Sequence, residues 1–144
     1  MILANAAIYA RVSSTRQKQS GDLERQASTL ASYCDERGFR VSCAYSDVGS
    51  GINDGRRGLL KLLKDVARGY HDVVVVNYQD RLSRFGVNVI REFLSSWGVD
   101  LVVVNKSIDV DDPNAELIED LMSILYSFMG RIYRKRRGKH VGKP

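Results

Sequence analysis

Short apolar runs alternate along the chain with longer segments whose apolar residues recur at helical spacing. The runs are continuous and rich in Val, Ile and Ala, as in strands that are covered on both faces. Because strand–helix alternation favours a mostly parallel sheet flanked by helices, we predict an α/β fold with three layers. The predicted strands are 6–10, 41–45, 73–76 and 101–104, and the predicted helices between them are 22–37, 59–67 and 87–97.

The ends of the first helix and the main loop can also be located from the pattern. Ser20 or Asp22 is expected to cap the start of this helix, and Gly38 is expected to end it. The segment 47–58 contains four glycines, which is typical of a loop. These signals divide the chain into regular elements joined by short connections.

The last predicted helix differs from the others in its length and in the width of its apolar stripe. Asp111 or Asp112 is a suitable N-cap, and Pro113 suits the first turn. Apolar residues then recur every three to four positions across 117–133. Two arrangements are consistent with this stripe. The helix is either buried in the core of its own chain, or it packs through part of 114–134 on a second copy.

Length and composition are those of a single globular domain. The chain has 144 residues, of which 44% are hydrophobic. No run approaches the roughly 20 apolar residues that cross a bilayer. The N-terminus lacks the basic segment of a signal peptide, and Cys34 and Cys43 form no metal-ligand motif, so both are expected to be reduced thiols. We therefore expect a cytoplasmic, nucleoid-associated protein with no membrane partner.

Positive charge is concentrated at the C-terminal end. Residues 131–144 carry seven basic side chains and no acidic one, so the preceding residues have a formal net charge of −2 against +5 for the whole chain. Such a segment favours contact with a polyanion such as DNA, and a solvated end is the alternative. We expect a folded domain over 1–137 and a disordered basic tail over 138–144. The expected DNA-binding residues are Arg131, Arg134, Lys135, Arg136 and Arg137.

Polar residues suited to phosphate chemistry follow three of the predicted strands. Because ligands of such sheets bind beyond the carboxyl ends of the strands, these residues are expected to converge. Arginine holds phosphate oxygens through two parallel hydrogen bonds, and a serine hydroxyl among arginines can form a covalent phosphoserine ester. That ester keeps the energy of a broken phosphodiester, so DNA can be rejoined without ATP. The residues concerned are Arg11, Ser13, Ser14, Arg16 and Gln17, then Asp47, Ser50, Arg56 and Arg57, then Asp80, Arg81 and Arg84.

Other kinds of site leave weaker signals. Neither GxxxxGKS/T nor GxGxxG is present after the first strand, which argues against a nucleotide site. His71 and His140 are isolated in sequence and are interpreted as ordinary surface residues. Asp47 and Asp80 lie in different loops, which is a weak signal for a divalent metal. We therefore predict neither a metal nor a cofactor.

Four motifs resemble those of the serine recombinases, the family of resolvases and invertases. Residues 9–13 (YARVS) with 22–26 (DLERQ) are similar to its N-terminal motif, and 45–51 (YSDVGSG) is similar to its second motif. Residues 56–60 (RRGLL) resemble its arginine segment, and 80–84 (DRLSR) resembles its Asp-Arg-Leu-x-Arg motif. The motifs occur in the family's order, and they look most like those of the transposases of a subgroup of insertion sequences. The resemblance implies the resolvase fold.

The resemblance also implies a role for each site residue. Ser13 would attack the scissile phosphate and hold the 5′-phosphate end, surrounded by Arg11, Arg81 and Arg84. Arg56 would contact this phosphate or help to order the active assembly. Asp80 would orient an arginine or assist proton transfer, and Asp47 would hold the arginine cluster in place. Gln17 and Ser50 would be supporting residues of the site, and Arg131 would lie near the DNA.

A recombinase of this family cuts DNA without metal or ATP, dimerises through its long helix, acts as a tetramer and exchanges strands by subunit rotation. The sequence departs from the common resolvase pattern in two ways. Gly130 stands before Arg131 where that pattern has Glu, and the chain has no room for a helix-turn-helix. We therefore expect a catalytic domain whose DNA-reading domain is missing from this chain.

Functions of different classes are consistent with this sequence. The first is a DNA strand transferase that uses Ser13 as its nucleophile. The second is a non-catalytic module, in which the same fold assembles subunits and the arginines only bind DNA phosphates. A metal-dependent nuclease is a third and weaker alternative.

Overall fold

The computed structural model describes residues 3–15, 18, 20–105 and 115–141, and it describes Ala115 and residues 136–141 by their backbone alone. Two compact units are present, Met1–Val110 and Asp111–Pro144. In chain order the elements are β1 (Asn5–Val12), α1 (Asp22–Arg37), β2 (Arg40–Val48), α2 (Arg57–Ala67), β3 (Val73–Tyr78), α3 (Gln79–Leu82), α4 (Val87–Ser96), β4 (Asp100–Asn105) and α5 (Ala115–Val141).

The four strands of the first unit form one parallel sheet in the order β2-β1-β3-β4. The two central strands, β1 and β3, contain the most continuous apolar runs, as expected for strands that are buried on both faces. This topology confirms the predicted α/β fold class. The four-residue helix α3 was not predicted, because one helical turn is too short to show a periodic pattern.

Helices cover both faces of the sheet, which gives the predicted three layers. Alternate residues of β1 point to opposite faces, so Tyr9 packs with Leu62 of α2 and Leu94 of α4. Ile8 packs on the other face with Leu30 of α1. The core is therefore divided by the sheet into two apolar layers.

Helix α1 has the predicted bounds but not the predicted N-cap. Gly21 occupies the cap position in the left-handed region, at φ 85°, and no side chain caps the helix. The expectation for Ser20 or Asp22 is wrong, because Asp22 lies inside the first turn and accepts a hydrogen bond from Arg25. The predicted end is confirmed, since Gly38 has φ 73° and the N–H of Phe39 reaches the carbonyl of Cys34 at 2.8 Å.

His71 is buried, so its interpretation as a surface residue is wrong. Its Nδ1 lies 2.7 Å from the Ser42 hydroxyl and its Nε2 lies 2.6 Å from the Tyr45 hydroxyl. Tyr45 also donates to Asp65 at 2.7 Å. Both partners of His71 lie on β2, 29 and 26 residues earlier in the chain, so the pattern around His71 gave no signal of them. Burial lowers the pKa of His71 below its ordinary value.

Helix α5 of the second unit exposes an extensive apolar surface and continues to Val141. A large exposed apolar surface is typical of an interaction surface. Within the described part of the chain, no helix is long and apolar enough to cross a membrane. The exposed large apolar residues of α5 are Ile118, Leu121, Met122, Ile124, Leu125, Tyr126, Phe128, Met129, Ile132 and Tyr133.

Candidate active site

The segments that follow β1, β2 and β3 meet around the side chain of Arg11. This residue lies near the end of β1 and is fully buried. Its Nε, Nη1 and Nη2 donate to the carbonyl oxygens of Arg81, Gly49 and Asp80 at 2.9, 2.8 and 2.6 Å. Three strand ends therefore converge at one edge of the sheet. Parallel strands bring their carboxyl ends together in this way.

Asp80 and two arginines form an ion-pair group next to Arg11. Asp80 Oδ2 lies 3.2 Å from Arg81 Nη2 and 3.5 Å from Arg84 Nη1. Arg81 also donates from Nη1 to the carbonyl of Arg11 at 3.0 Å. The side chain of Arg81 is buried, and that of Arg84 is 10% exposed. One carboxylate thus forms ion pairs with two guanidinium groups.

A second group links Tyr9, Asp47 and Arg56. The Tyr9 hydroxyl donates to Asp47 Oδ2 at 2.7 Å and accepts from Arg56 Nη1 at 2.7 Å. Asp47 also accepts from the backbone N–H groups of Gly58 and Leu59, both at 2.8 Å. Burial raises the pKa of Tyr9, so its hydroxyl keeps its proton and can make both bonds. This arrangement fixes the start of α2 against the end of β2.

Arg56 is a buried brace in this structure. Its Nε donates to the carbonyl of Asn53 at 2.8 Å, and its Nη2 donates to the carbonyl of Leu82 at 2.5 Å. Its Nη1 also lies 3.3 Å from the carbonyl of Arg81, which joins the loop before α2 to α3. The predicted contact of Arg56 with a phosphate and its predicted role in ordering the active assembly both stay predictions.

Gln26 holds the backbone that leads to Ser13. It accepts from the N–H of Arg11 at 3.1 Å and donates to the Arg11 carbonyl at 2.8 Å. The last residue pair between β1 and β3 is Tyr9 with Val76. Beyond it, β3 offers no partner to the backbone N–H and carbonyl of Arg11, and Gln26 supplies one for each. Ser13, two residues further on, is half-buried at the end of the strand.

Tyr9 and Gln26 contact the residues of the candidate site, and the sequence pattern did not predict either of them. Tyr9 precedes Arg11 by two residues, so both side chains point to the same face of β1. That spacing could have identified Tyr9. Gln26 has a weaker signal, since only its place within the first motif distinguishes it from any polar helix residue.

Gly51 allows two of the loops to approach closely. A Cβ at this position would lie 3.0 Å from Arg11 Nη2 and 3.2 Å from the backbone nitrogen of Arg84. That nitrogen donates to the carbonyl of Gly51 at 2.9 Å. The glycine therefore holds the segment after β3 against the loop after β2, which places Arg84 beside Arg11.

The fold and this arginine-rich site agree with the sequence model of the resolvase N-terminal domain, which matches residues 6–141. The chain belongs to the resolvase family. Two proteins of Acanthamoeba polyphaga mimivirus that are named as resolvases are 35% and 33% identical to it, over 85% and 94% of this chain. The chain spans 61% and 67% of their lengths.

Solved structures place this resolvase-family chain among serine recombinase catalytic domains. The C-terminal catalytic domain of ISC1926 TnpA, an IS607-like serine recombinase, is 47% identical with a TM-score of 0.84, and the match covers 89% of this chain and 85% of that one. A serine recombinase from Sulfolobus solfataricus is 38% identical with a TM-score of 0.76, over 94% and 89% of the two chains. The predicted likeness to insertion-sequence recombinases is confirmed.

Some predicted residues of this resolvase-family site are not described. Gln17 lies outside the described residues, as do the side chains of Arg136 and Arg137. Arg131, Arg134 and Lys135 are exposed on α5, in the second unit. No group of three or more His, Cys, Asp or Glu side chains that could hold a metal ion occurs in the described part of the chain.

Proposed function

We propose that this chain is the catalytic domain of a serine recombinase, in which Ser13 cuts and rejoins DNA strands. Membership of the resolvase family and likeness to serine recombinase catalytic domains support the class of enzyme. The observation that carries the assignment of Ser13 is its position. It follows β1 at the edge where Arg11, Arg81 and Arg84 are held together.

The proposed reaction is a balanced transesterification. The Ser13 hydroxyl oxygen attacks phosphorus, an oxygen–phosphorus bond forms to the 5′-phosphate end, and the bond from phosphorus to the 3′-oxygen breaks. The serine proton is transferred overall to the departing 3′-oxygen, which becomes a hydroxyl. Attack by a 3′-hydroxyl on the phosphoserine reverses these steps, so rejoining needs neither ATP nor a metal.

Charge on the scissile phosphate is balanced by arginine in this proposal. Arg81 and Arg84 are oriented by Asp80, and a preorganised cation stabilises a phosphoryl group more than one that must be moved into place. Arg11 and Arg56 donate mainly to carbonyl groups, so we assign them to holding the loops. Asp47 then acts through Arg56 and α2.

Assembly and DNA contact are proposed to involve the second unit. Members of the family act on DNA and oligomerise, and α5 exposes the apolar surface that a second copy would cover. The exposed cations Arg131, Arg134 and Lys135 follow this surface along the helix and would contact DNA phosphates. We also propose that the protein is a dimer that becomes a tetramer when it is active, and that it acts on DNA of the nucleoid. A separate helix-turn-helix domain is proposed to select the DNA site.

The reaction is tested by trapping the covalent ester. The complete protein is incubated with nicked duplex DNA from either side of its own gene, and intact protein mass is measured. Wild type is expected to gain the mass of a 5′-phosphoryl oligonucleotide at Ser13. The Ser13→Ala protein should still bind the DNA, as seen by a mobility shift in a gel, but should gain no mass. The matched control, Ser14→Ala, should still form the adduct.

The second candidate function is a non-catalytic module that assembles on DNA. It is favoured because Arg11 and Arg56 donate to backbone carbonyl groups and are therefore engaged within the protein. Wild-type protein that binds the nicked DNA without forming any adduct would support this module and refute the recombinase. Cleavage that survives Ser13→Ala and stops with a chelator would instead support a metal-dependent nuclease.

A further inference from the structure

Phe85 exposes most of its ring at the edge of the candidate site. It follows Arg84 directly, and 64% of the residue is exposed. Asn88 and Val89, one helical turn further along, are also exposed. We name these three residues the Phe85 surface. It lies on the same edge of the sheet as Ser13, because the segment after β3 leads directly into it.

The backbone on both sides of Phe85 is fixed. The N–H of Arg84 donates to the Gly51 carbonyl at 2.9 Å, and the N–H of Gly86 donates to the hydroxyl of the buried Ser83 at 2.9 Å. The N–H of Ile90 reaches the Gly86 carbonyl at 3.1 Å, which anchors the start of α4. The exposed ring is therefore presented by a firmly held turn.

The charge around the Phe85 surface is suited to DNA. Residues 81–91 contain three arginines, Arg81, Arg84 and Arg91, and with the flanking Asp80 and Glu92 the segment 80–92 keeps a formal net charge of +1. Phe85 directly follows Arg84 in the chain, so we expect the base step beside a phosphate held at Arg84 to lie near the exposed Phe85 ring. Apolar side chains inserted between base steps unstack them, and aromatic rings stack on any base.

We propose that Phe85 is a DNA wedge, which inserts into the base step beside the scissile phosphate and unstacks it. The inference rests on the proposed function, since it places the cut phosphate at Arg84. Strands that are exchanged must lose their original base pairs near the cut, and a wedge lowers the free energy needed for this. Asn88 supplies an amide that can bond to the exposed base edges, and Val89 widens the apolar contact.

The surface is assigned to DNA because of its continuity with the arginines of the site. Exposed apolar residues on α5 form a separate surface in the second unit, where a second copy is expected to pack. Two other exposed aromatic residues of the first unit, Tyr70 and Trp97, follow α2 and α4 and precede β3 and β4. They lie at the opposite edge of the sheet and serve as controls.

Base unstacking is measured with 2-aminopurine, whose fluorescence rises when it leaves the stack. The probe is placed in turn at each position of the DNA that the complete Ser13→Ala protein protects. We expect a rise next to the cut position, and its loss in a protein that also carries Phe85→Ala. Phe85→Tyr should keep the rise, and so should Trp97→Ala. With Ser13 present, Phe85→Ala should slow adduct formation about tenfold, the scale of one lost base-stacking contact.

The outcomes separate this proposal from the one on which it rests. A Phe85→Ala protein with unchanged fluorescence and cleavage would overturn the wedge. A changed sedimentation coefficient without DNA, together with unchanged fluorescence, would assign the surface to contact between copies and also overturn it. A rise in fluorescence that depends on Phe85, together with a wild-type protein that forms no adduct, would refute only the Ser13 reaction. If Phe85→Ala does not fold, Phe85→Gln, which keeps the side-chain length, is measured in its place.

Discussion

At the scale of single residues, the site depends on buried arginines that are fully engaged. Burying a guanidinium group is unfavourable unless its N–H groups find acceptors, and carbonyl oxygens supply them for Arg11 and Arg56. Among the described residues, no buried side-chain nitrogen or oxygen lacks a hydrogen-bond partner. The Tyr9 hydroxyl accepts a hydrogen bond from Arg56 and donates one to Asp47, so this one oxygen atom connects the two side chains.

Tyr9→Phe is expected to destabilise the domain by about 1–3 kcal/mol, because it removes the near acceptor of a buried Arg56 N–H group. The remaining acceptor, the Arg81 carbonyl, is further away at 3.3 Å. The free energy of unfolding is measured by urea titration. Tyr70→Phe, at an exposed tyrosine, is the control and should change it by less than about 0.5 kcal/mol. Equal midpoints for the two variants would show that the hydroxyl bridge contributes nothing.

His71 is expected to make the domain less stable in mild acid. Burial lowers the pKa of His71, so the folded protein keeps this side chain neutral. In the unfolded chain the imidazole has its ordinary pKa of about 6.5 and takes up a proton as the pH falls through that value. Stability is therefore fully present above about pH 6.5 and is lost as the pH falls towards the folded pKa.

The His71 effect is measured as the free energy of unfolding between pH 7.5 and 5. His71→Gln should reduce the loss of stability over this range, and His140→Gln, at the other histidine of the chain, is the matched control. Identical pH slopes for wild type and His71→Gln would assign the loss to other groups.

At the scale of elements, the start of α2 is fixed by a neighbouring strand. The carboxylate of Asp47, on β2, accepts the N–H groups of Gly58 and Leu59, so it serves the purpose of an N-cap from outside the helix. Gly58 lies so close to β2 that an added Cβ would be 2.4 Å from the Ser46 carbonyl oxygen. The helix and strand can approach to this distance only with glycine at position 58.

Gly58→Ala is expected to destabilise the domain by about 1–3 kcal/mol, because the added methyl group forces α2 away from β2. This sign is opposite to the usual one, since Gly→Ala within a helix normally stabilises by about 0.5–1 kcal/mol. Gly130→Ala, in α5 where an added Cβ meets nothing within 4 Å, is the control and should show the usual sign. Thermal unfolding measures both variants, and a stabilised Gly58→Ala protein would contradict the close approach.

At the scale of the whole molecule, the two units divide the proposed work. The first contains the site and the Phe85 surface, and the second presents apolar side chains followed by basic ones on a single helix. On α5, Leu125 and Met129 lie near the centre of the apolar stripe, and Ser127 lies on the opposite side of the helix. A large exposed apolar stripe is characteristic of an interface.

Leu125→Lys is expected to weaken self-association by at least about tenfold, because it introduces an unpaired charge at the centre of the proposed interface. Ser127→Lys adds the same charge on the other side of the helix and is expected to leave association unchanged. Sedimentation equilibrium measures the association constant. Equal effects of the two substitutions would mean that the stripe is not the interface.

The sequence by itself determined every element except the short α3, the strand–helix order and the convergence of Arg11, Asp80 and Arg81 at one edge, because periodicity and strand direction are local properties. Only the tertiary structure decided which partners each side chain meets. It placed His71 in the core, joined Tyr9 to Arg56, and turned two arginines expected at phosphate towards carbonyl groups. Hydrogen-bond partners that are tens of residues apart are selected by packing, and packing leaves no periodic trace in the chain.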